Sequence, residues 1–502
     1  MSCTNEDCEE SDLDSDTVSN PPDSILDPLI SSAKRLLKGS WFTTKMIKLD
    51  RTSALNSEKP YPLPLSLLPK DMSTELDKKP KKVKNFRKNQ SKGKPAKEEA
   101  EDKTKPEKEP KEPAGKCIMI RLYPDASQRK TMNGWFGTKR WTQNKVVYAQ
   151  QKKGNEPALD LRFYGNVKYL RQRFVNEKNS KNEENFKDTP WVLETPCAIR
   201  DGALLDVVKA YKSSFAKMGN DNFTLHFKKK NAPSDSIVVP KDCYTKRGVF
   251  YPRFFGNKPI KSAKRLPVKL EYEARIVRNH LGHFYFCIPK KLDKYNGPSR
   301  NKVISIDPGV RTFCTGYDSD GLVVEVGESD ILKIESLCHE YDELQSKCSH
   351  PKTRHRKRYK LKRSGRRKQR RIRNKVDELH KKLSKWLCEN YNIILLPKFE
   401  TQKMVSRNQR KINSRTARNM MTLSHYRFRT RLMSKAREYP NCRVILCGEE
   451  YSSKTCGECG FLHHKLGGSK VFKCPGCKQE SDRDHNGSRN IFLKNHSLIF
   501  KD

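Results

Sequence analysis

No stretch of this chain is both long and apolar enough to cross a bilayer, and Met1 to Asp16 is acidic, without the hydrophobic run of a secretion signal. Both absences argue against a membrane or exported protein. Apolar residues are scarce, 34% of 502 positions, so a good part of the chain is not core. The remainder has room for roughly two to four domains. Acidic residues are outnumbered, 59 against 104 Lys and Arg, which leaves a net charge of +45. That excess exceeds what solubility needs and fits a polyphosphate partner bound with steep salt dependence. A membrane surface would attract the same charge, but the chain offers no anchor. Without a secretory context, the 16 cysteines read as reduced thiols in an intracellular protein.

Residues 1–116 read as a largely disordered tail: acidic at first, proline-rich from Lys59 to Lys70, then Lys, Glu and Pro with nothing to build a core. Within it, Lys78-Lys79-Pro80-Lys81-Lys82-Val83-Lys84 has the character of a nuclear-import signal and, equally, of a solvated charge run. Order is expected from Cys117. Ile118, Ile120 and Leu122 alternate as a half-buried strand, a helix with Trp135, Phe136 and Trp141 follows, and Leu204, Val208, Tyr211 and Phe215 mark a second amphipathic helix. Such helical aromatics belong to a core more often than to a base-stacking surface. Phe223, Leu225 and Phe227 then alternate as a strand, and Leu270, Tyr272, Ala274 and Ile276 pair with Phe284, Phe286 and Ile288 in a hairpin. This pattern suggests a small β-barrel or sheet interrupted by helices, with nucleic-acid binding as its expected work.

Val303-Ile304-Ser305-Ile306-Asp307-Pro308-Gly309 is an apolar strand ending on a carboxylate that Pro-Gly presents at a turn. Strands through Phe313, Thr315 and Tyr317 and through Leu322, Val323 and Val324 follow, as they do at the start of ribonuclease H-like nucleases. Asp-Pro-Gly turns are common, and alone this one says little. Ile331 to Leu387 is helical. Its centre, Lys352 to Lys375, is too cationic for a core and reads as a phosphate-contacting segment or a flap, whereas Val376, Leu379, Leu383, Trp386 and Leu387 share an apolar face. A strand at 392–400 and basic helices at 408–437 lead to Arg443–Cys447, which delivers Glu449 and Glu450, and Asp482 and Asp484 stand before a closing helix. Asp307, Glu449 or Glu450, and Asp484 are thereby expected to converge. Such hard oxygen donors can hold two Mg²⁺ or Mn²⁺ ions ~3.5 to 4 Å apart for phosphodiester hydrolysis.

Between the last two acids lie Cys456, Cys459, Cys474 and Cys477, two C-x2-C pairs separated by fourteen residues. Two such knuckles complete a closed all-thiolate site, for which structural Zn²⁺ is expected. The ribbon reads as a staple joining two acid-bearing segments; the alternative is that the acids are solvated surface charge.

The same residues carry a resemblance. Val303 to Gly309, Glu449 to Gly460, and Cys474-Pro475-Gly476-Cys477 with Asp482 to Ile491 resemble the RuvC and zinc-ribbon motifs of the TnpB nucleases. These are transposon-encoded relatives of the type V CRISPR effectors, and their eukaryotic members are called Fanzor. Arg121-Leu122-Tyr123-Pro124 and Ala210-Tyr211-Lys212 extend the similarity over about residues 117–495. The resemblance implies an α+β multidomain chain. After the disordered tail come a β-barrel-like wedge domain (117–125 and 221–295) with an inserted helical recognition domain (126–220) and a RuvC domain (301–455). A zinc ribbon (456–477) and a closing RuvC segment (478–498) complete it. It also implies a Mg²⁺-dependent, RNA-guided DNA endonuclease, monomeric in its ribonucleoprotein. A non-coding guide RNA pairs with double-stranded DNA beside a short adjacent motif, and one RuvC site cuts both strands. The import-like cluster favours the eukaryotic branch and the nucleus.

Bacterial relatives carry the second acid where this chain has Leu396-Pro397-Lys398-Phe399. Some eukaryotic members instead place a glutamate just before the Tyr-Ser-Ser-Lys-Thr-Cys element, on a segment expected to adjoin the first strand. The implied Mg²⁺-binding catalytic set is therefore Asp307, Glu449 and Asp484, with Glu450 and then Glu400 as rivals at the second position and Asp482 at the third. Pro397 and Lys398 motivate an alternative, a nucleic-acid-binding relative with an inactive nuclease site. A cut-and-paste transposase would share the fold, but no residue speaks for strand transfer.

Overall fold

The computed structural model describes residues 39–48, 114–151, 167–176, 189–218, 225–230, 232, 234–255, 258–296, 302–408 and 410–500. The lysine-rich cluster at 78–84 lies outside them, as does Phe223. The expectation that nothing before residue 116 joins a core is overturned by a short segment. Trp41 and Phe42 pack on the main hydrophobic cluster and lead into β1 (Thr44–Lys48), an edge strand antiparallel to a strand almost 280 residues away.

The alternation Ile118, Ile120, Leu122 becomes β2 (Lys116–Tyr123). With β3 (Ser234–Val239), β4 (Lys261–Ser262), β5 (Ala274–Asn279) and β6 (Phe284–Lys290) it makes a five-stranded antiparallel sheet ordered β3-β5-β6-β2-β4. The hairpin is shorter than expected, with Leu270 and Tyr272 lying ahead of the strand, and Leu225 and Phe227 are not in one. Among the described residues, the longer helices that accompany this sheet are α1 (Ala126–Gln151), α2 (Val167–Phe174) and α3 (Cys197–Met218). Met132, Trp135 and Phe136 of α1 are buried against Ile120, Ile276 and Phe286, so these aromatics are core. Lys139, on the same helix, is buried as an ion pair with Asp206 at 3.0 Å and Asp235 at 3.1 Å.

The second sheet follows from the run at 303–308. Strands β7 (Val303–Pro308), β8 (Cys314–Asp318) and β9 (Leu322–Val326) form an antiparallel meander, and β10 (Ile393–Pro397) and β11 (Arg443–Cys447) add in parallel on the far side of β7. The order is β1-β9-β8-β7-β10-β11. The strand delivering Glu449 therefore does not adjoin the first strand; β10, the strand that ends in Pro397, stands between them.

Strand alternation gives this sheet two different faces. Ile304, Ile306, Val324, Ile394 and Leu396 face a large apolar core that α4 (Ile331–Ser349), α5 (His355–Asn390), α6 (Ser414–Leu423) and α7 (His425–Ala436) complete, with Leu383, Trp386 and Leu387 at its centre. The expected single helical stretch is broken at 350–354, where Pro351 cannot continue α4. On the opposite face, Val303, Leu395 and Cys447 meet Ile491 of α8 (Arg483–Lys494). Between α7 and α8 the cysteine-bearing segment forms a small ribbon with strands β12 (Val471–Lys473) and β13 (Glu480–Asp482).

Candidate functional site

Asp307 sits where β7 ends. Gly309 turns the chain so tightly that a Cβ there would lie 2.6 Å from the Thr312 carbonyl oxygen, which only glycine avoids. Glu449 follows β11 in a turn held by its own carbonyl, which accepts from Ser452 N at 3.2 Å and Ser452 Oγ at 2.9 Å. Asp484 lies in the first turn of α8. The N-cap is Asp482, whose carboxylate accepts from Asp484 N at 2.8 Å and His485 N at 3.3 Å, so the capping task falls to Asp482 and leaves the Asp484 side chain free of it.

Asp307, Glu449 and Asp484 line one cavity of about 510 Å³. The rival acids do not. Glu450 is exposed and paired with Lys494 at 2.8 Å, Glu400 is exposed and paired with Lys403 at 2.5 Å, and Asp482 caps its helix. Burial, then the charges of Asp484 and Glu449, push the Asp307 carboxyl up to about 8. Burial likewise raises Glu449, with Glu450 adding to it, and Asp484, with Asp482 adding to it. The Lys494 ammonium holds Glu450 below the usual carboxylate range. Three crowded carboxylates that resist ionisation together are the donor set that divalent cations neutralise. Their oxygen chemistry fits Mg²⁺ or Mn²⁺.

Helix α8 is pressed onto the acids. A Cβ at Gly487 would lie 2.7 Å from Asp307 Oδ2, so Gly487 is the position where helix backbone and carboxylate touch. Gly487→Ala should displace that carboxylate while leaving the fold intact, because alanine is the better helix former by roughly 1 kcal/mol. The expected outcome is a thermal midpoint that does not fall, with Mn²⁺ affinity reduced about tenfold or more, measured by titration of the metal. Asn486 and Asn490 bind the same helix to the ribbon. Asn486 Nδ2 donates to Thr455 O at 2.7 Å and its Oδ1 accepts from Gly457 N at 2.8 Å, and Asn490 Nδ2 donates to Ser452 O at 2.8 Å.

The four cysteines come together as their spacing requires. Cys456 Sγ lies 3.7 Å from Cys477 Sγ, Cys459 Sγ lies 3.5 Å from Cys474 Sγ, and all four sulfurs are within 4.8 Å of one another. Tetrahedral Zn–S geometry calls for sulfurs ~3.8 Å apart, so the set fits a closed four-thiolate zinc site. Sequence reasoning missed how the ribbon reaches the acids. Arg311 donates to Gly468 O at 3.0 Å and Arg483 to Gly467 O at 2.8 Å, and Gly468, Ser469 and Lys470 line the acid cavity. Arg483 was visible between two aspartates; nothing local marked Arg311 as its counterpart. Tyr451, two residues past Glu449, is also unexpected, an exposed aromatic at φ 63°, a backbone region that bulky residues rarely occupy.

A second concavity, about 550 Å³, separates the β5–β6 turn from α5 and is lined by Arg367, Arg370, Arg371 and Lys375 opposite Leu281 and His283. Arg370 donates to Tyr285 and contacts His283, and burial together with Arg121 and Arg370 pushes His283 down to about 4. Residues 355–375 of the cationic centre lie in α5, and across this groove they face the β5–β6 turn with charge suited to a phosphate backbone.

Residues 287–408 match the family model OrfB_IS605, "Probable transposase", and residues 425–491 match "Cas12f1-like, TNB domain". The chain is 29% identical over 396 residues to "Putative transposase A625R" of Paramecium bursaria Chlorella virus 1, covering 75% of this chain and 85% of the relative. It is 25% identical to the TnpB-like protein L79 of Acanthamoeba polyphaga mimivirus, covering 74% and 72%. A looser likeness in chain trace, at 11% identity and a TM-score of 0.42, links 75% of it to 92% of the mini-RNA-guided endonuclease CRISPR-Cas_phi3.

Proposed function

We propose, from the premise that this chain is a relative of the TnpB-like transposases, that it is an RNA-guided DNA endonuclease of the Fanzor type. Three carboxylates delivered by β7, β11 and α8 to one cavity carry this reading. Asp307, Glu449 and Asp484 would hold two Mg²⁺ ions, which when bound supply Lewis-acid activation of water and of the leaving 3′-oxygen. The chain's own part is positional. The Pro-Gly turn aims Asp307, the Ser452-capped turn aims Glu449, and Asp482 fixes the start of α8 so that Asp484 faces the other two. Lys470, Arg483 and Arg311 at the cavity wall give a phosphodiester a cationic approach, and the arginine-lined groove offers charge to a guide RNA or its DNA duplex.

Pro397 and Lys398 at the bacterial acid position favour a binding-only alternative. Against it stands Glu449, whose turn brings a half-buried carboxylate to the cavity from the neighbouring strand. The discriminating comparison is Glu449→Gln beside Glu450→Gln, each purified with its RNA and offered plasmid DNA carrying a sequence complementary to that RNA. Glu449→Gln should lower cutting on the order of a hundredfold or more, and Glu450→Gln by less than about threefold. Equal losses would return the second position to open assignment. If the wild type makes no cuts while retaining one defined RNA, the binding-only alternative stands.

A further inference from the structure

We infer, on the nuclease reading above, that Thr315 is a positioning residue for Asp307. Its hydroxyl holds that carboxylate, or a water beside it, once a divalent cation is present. Asp307 on β7 and Thr315 on β8 are direct cross-strand partners, and Thr315 is in turn the direct partner of Glu325 on β9. Directly opposed residues of antiparallel strands project to the same face, so the three form one row across the sheet. Helix α8 covers that face: Gly487 abuts Asp307, Ser305 Oγ donates to Ser488 O at 2.8 Å, and His485 Nε2 lies 3.0 Å from Glu325 Oε1.

Glu325 has His485, and Ser305 has Ser488. Thr315 is 1% exposed, and its Oγ1 has no hydrogen-bond partner among the described residues. Burying an unpaired hydroxyl is costly, whereas valine has nearly the same shape, keeps the β-branch and suits a strand at least as well. Packing alone would therefore favour valine here. Two carboxylates are in register with the unpaired hydroxyl: Glu325, already engaged by His485, and Asp307, which has acceptor capacity to spare at the cavity. Threonine offers it one donor, and offers a water two lone pairs, from a side chain whose χ1 is restricted by β-branching. Groups that hydrogen-bond a metal-ligating carboxylate orient it, and their loss typically lowers metal affinity about 10- to 100-fold.

The test uses full-length, nucleic-acid-free, zinc-loaded protein as wild type, Thr315→Val, Thr315→Ser and Asp307→Ala. Mn²⁺ binding is followed by electron paramagnetic resonance, and thermal midpoints are taken without Mn²⁺ or Mg²⁺. The expectation is that Thr315→Val keeps or raises the midpoint and weakens Mn²⁺ binding about 10- to 100-fold, while Thr315→Ser stays within about threefold of wild type. Unchanged Mn²⁺ affinity in Thr315→Val, a lowered midpoint, or no rescue by serine overturns the role. If Asp307→Ala binds Mn²⁺ as wild type does, the metal reading of the site fails first, and that outcome is distinct from losing Thr315 alone.

Discussion

Replacing Asp307 with asparagine should abolish DNA cutting and, in divalent-free buffer at pH 8.5, make the protein more stable than wild type. The loss of cutting follows from removing the ligand that the other two carboxylates flank, on the order of a thousandfold or more if several kcal/mol of metal-derived stabilisation depend on it. The gain in stability follows from linkage. Burial, Asp484 and Glu449 raise the Asp307 carboxyl to about 8, opposed by Arg483. In the unfolded chain the same group titrates near 4, so between roughly pH 4 and pH 8 the native state binds the extra proton. Native stability is therefore favoured by low pH and declines as pH rises through about 8, with an upper bound of roughly 5 kcal/mol. Asparagine cannot ionise, so the variant should lose that decline. Thermal midpoints at pH 5.5 and 8.5, with and without Mg²⁺, check the sign. Wild type should gain more from Mg²⁺ at pH 8.5 than at pH 5.5, and Asp307→Asn should gain little at either. A wild-type midpoint that rises with pH in the absence of divalent ions would show that Asp307 does not carry this strain.

How much of this was legible in the residues depended on how local the cause was. Asp307 could be located because an apolar run stops at Asp-Pro-Gly, and Asp484 because it stands before His485-Asn486-Gly487 at the start of the closing helix, as in the family it resembles; that Asp482 is the cap of that helix was legible only in the structure. The ribbon was legible because thiolate spacing is itself the constraint. The choice between Glu449 and Glu450 was less so, since β11 ends at Cys447 and both glutamates lie beyond it. A turn and the distant Lys494 decide which carboxylate lines the cavity. β1 was missed because five residues in a polar tail gain order only by pairing with β9 and by seating Trp41 and Phe42 on a core formed far along the chain; Trp41 Nε1 donates to Lys375 O at 2.9 Å. Sheet order was missed for the same reason. That β10 intervenes between β7 and β11 is a property of the parallel pairing, and it explains how a proline-terminated central strand can coexist with an acid reaching in from its outer neighbour.

Loss of the four-thiolate metal should disable the acid site without unfolding the sheet that carries it. The ribbon's own apolar cluster is small, Cys456, Phe472 and Cys474 with Leu466 against it, far too little to order the segment unaided. Metal binding must supply that order, as it does in small thiolate sites generally. The large core around Trp386 and Leu387 draws nothing from the ribbon. What depends on the ribbon is one wall of the cavity. Gly467 and Gly468 are held by Arg483 and Arg311, and Lys470 reaches Glu328 at 2.8 Å and Asp482 at 3.6 Å. With Cys474→Ser, zinc content by mass spectrometry should fall from one ion per chain to near zero, and limited proteolysis should open the segment between Cys456 and Cys477. The main thermal transition should move by only a few degrees, while cutting falls about a hundredfold or more and excess Mg²⁺ does not restore it. Freed Arg311 and Arg483 would then pair with the acids they now flank, so the Asp307 carboxyl should titrate lower in the zinc-free protein. Full cutting by a zinc-free variant would reduce the ribbon to a surface appendage and leave Arg311 and Arg483 as phosphate ligands in their own right.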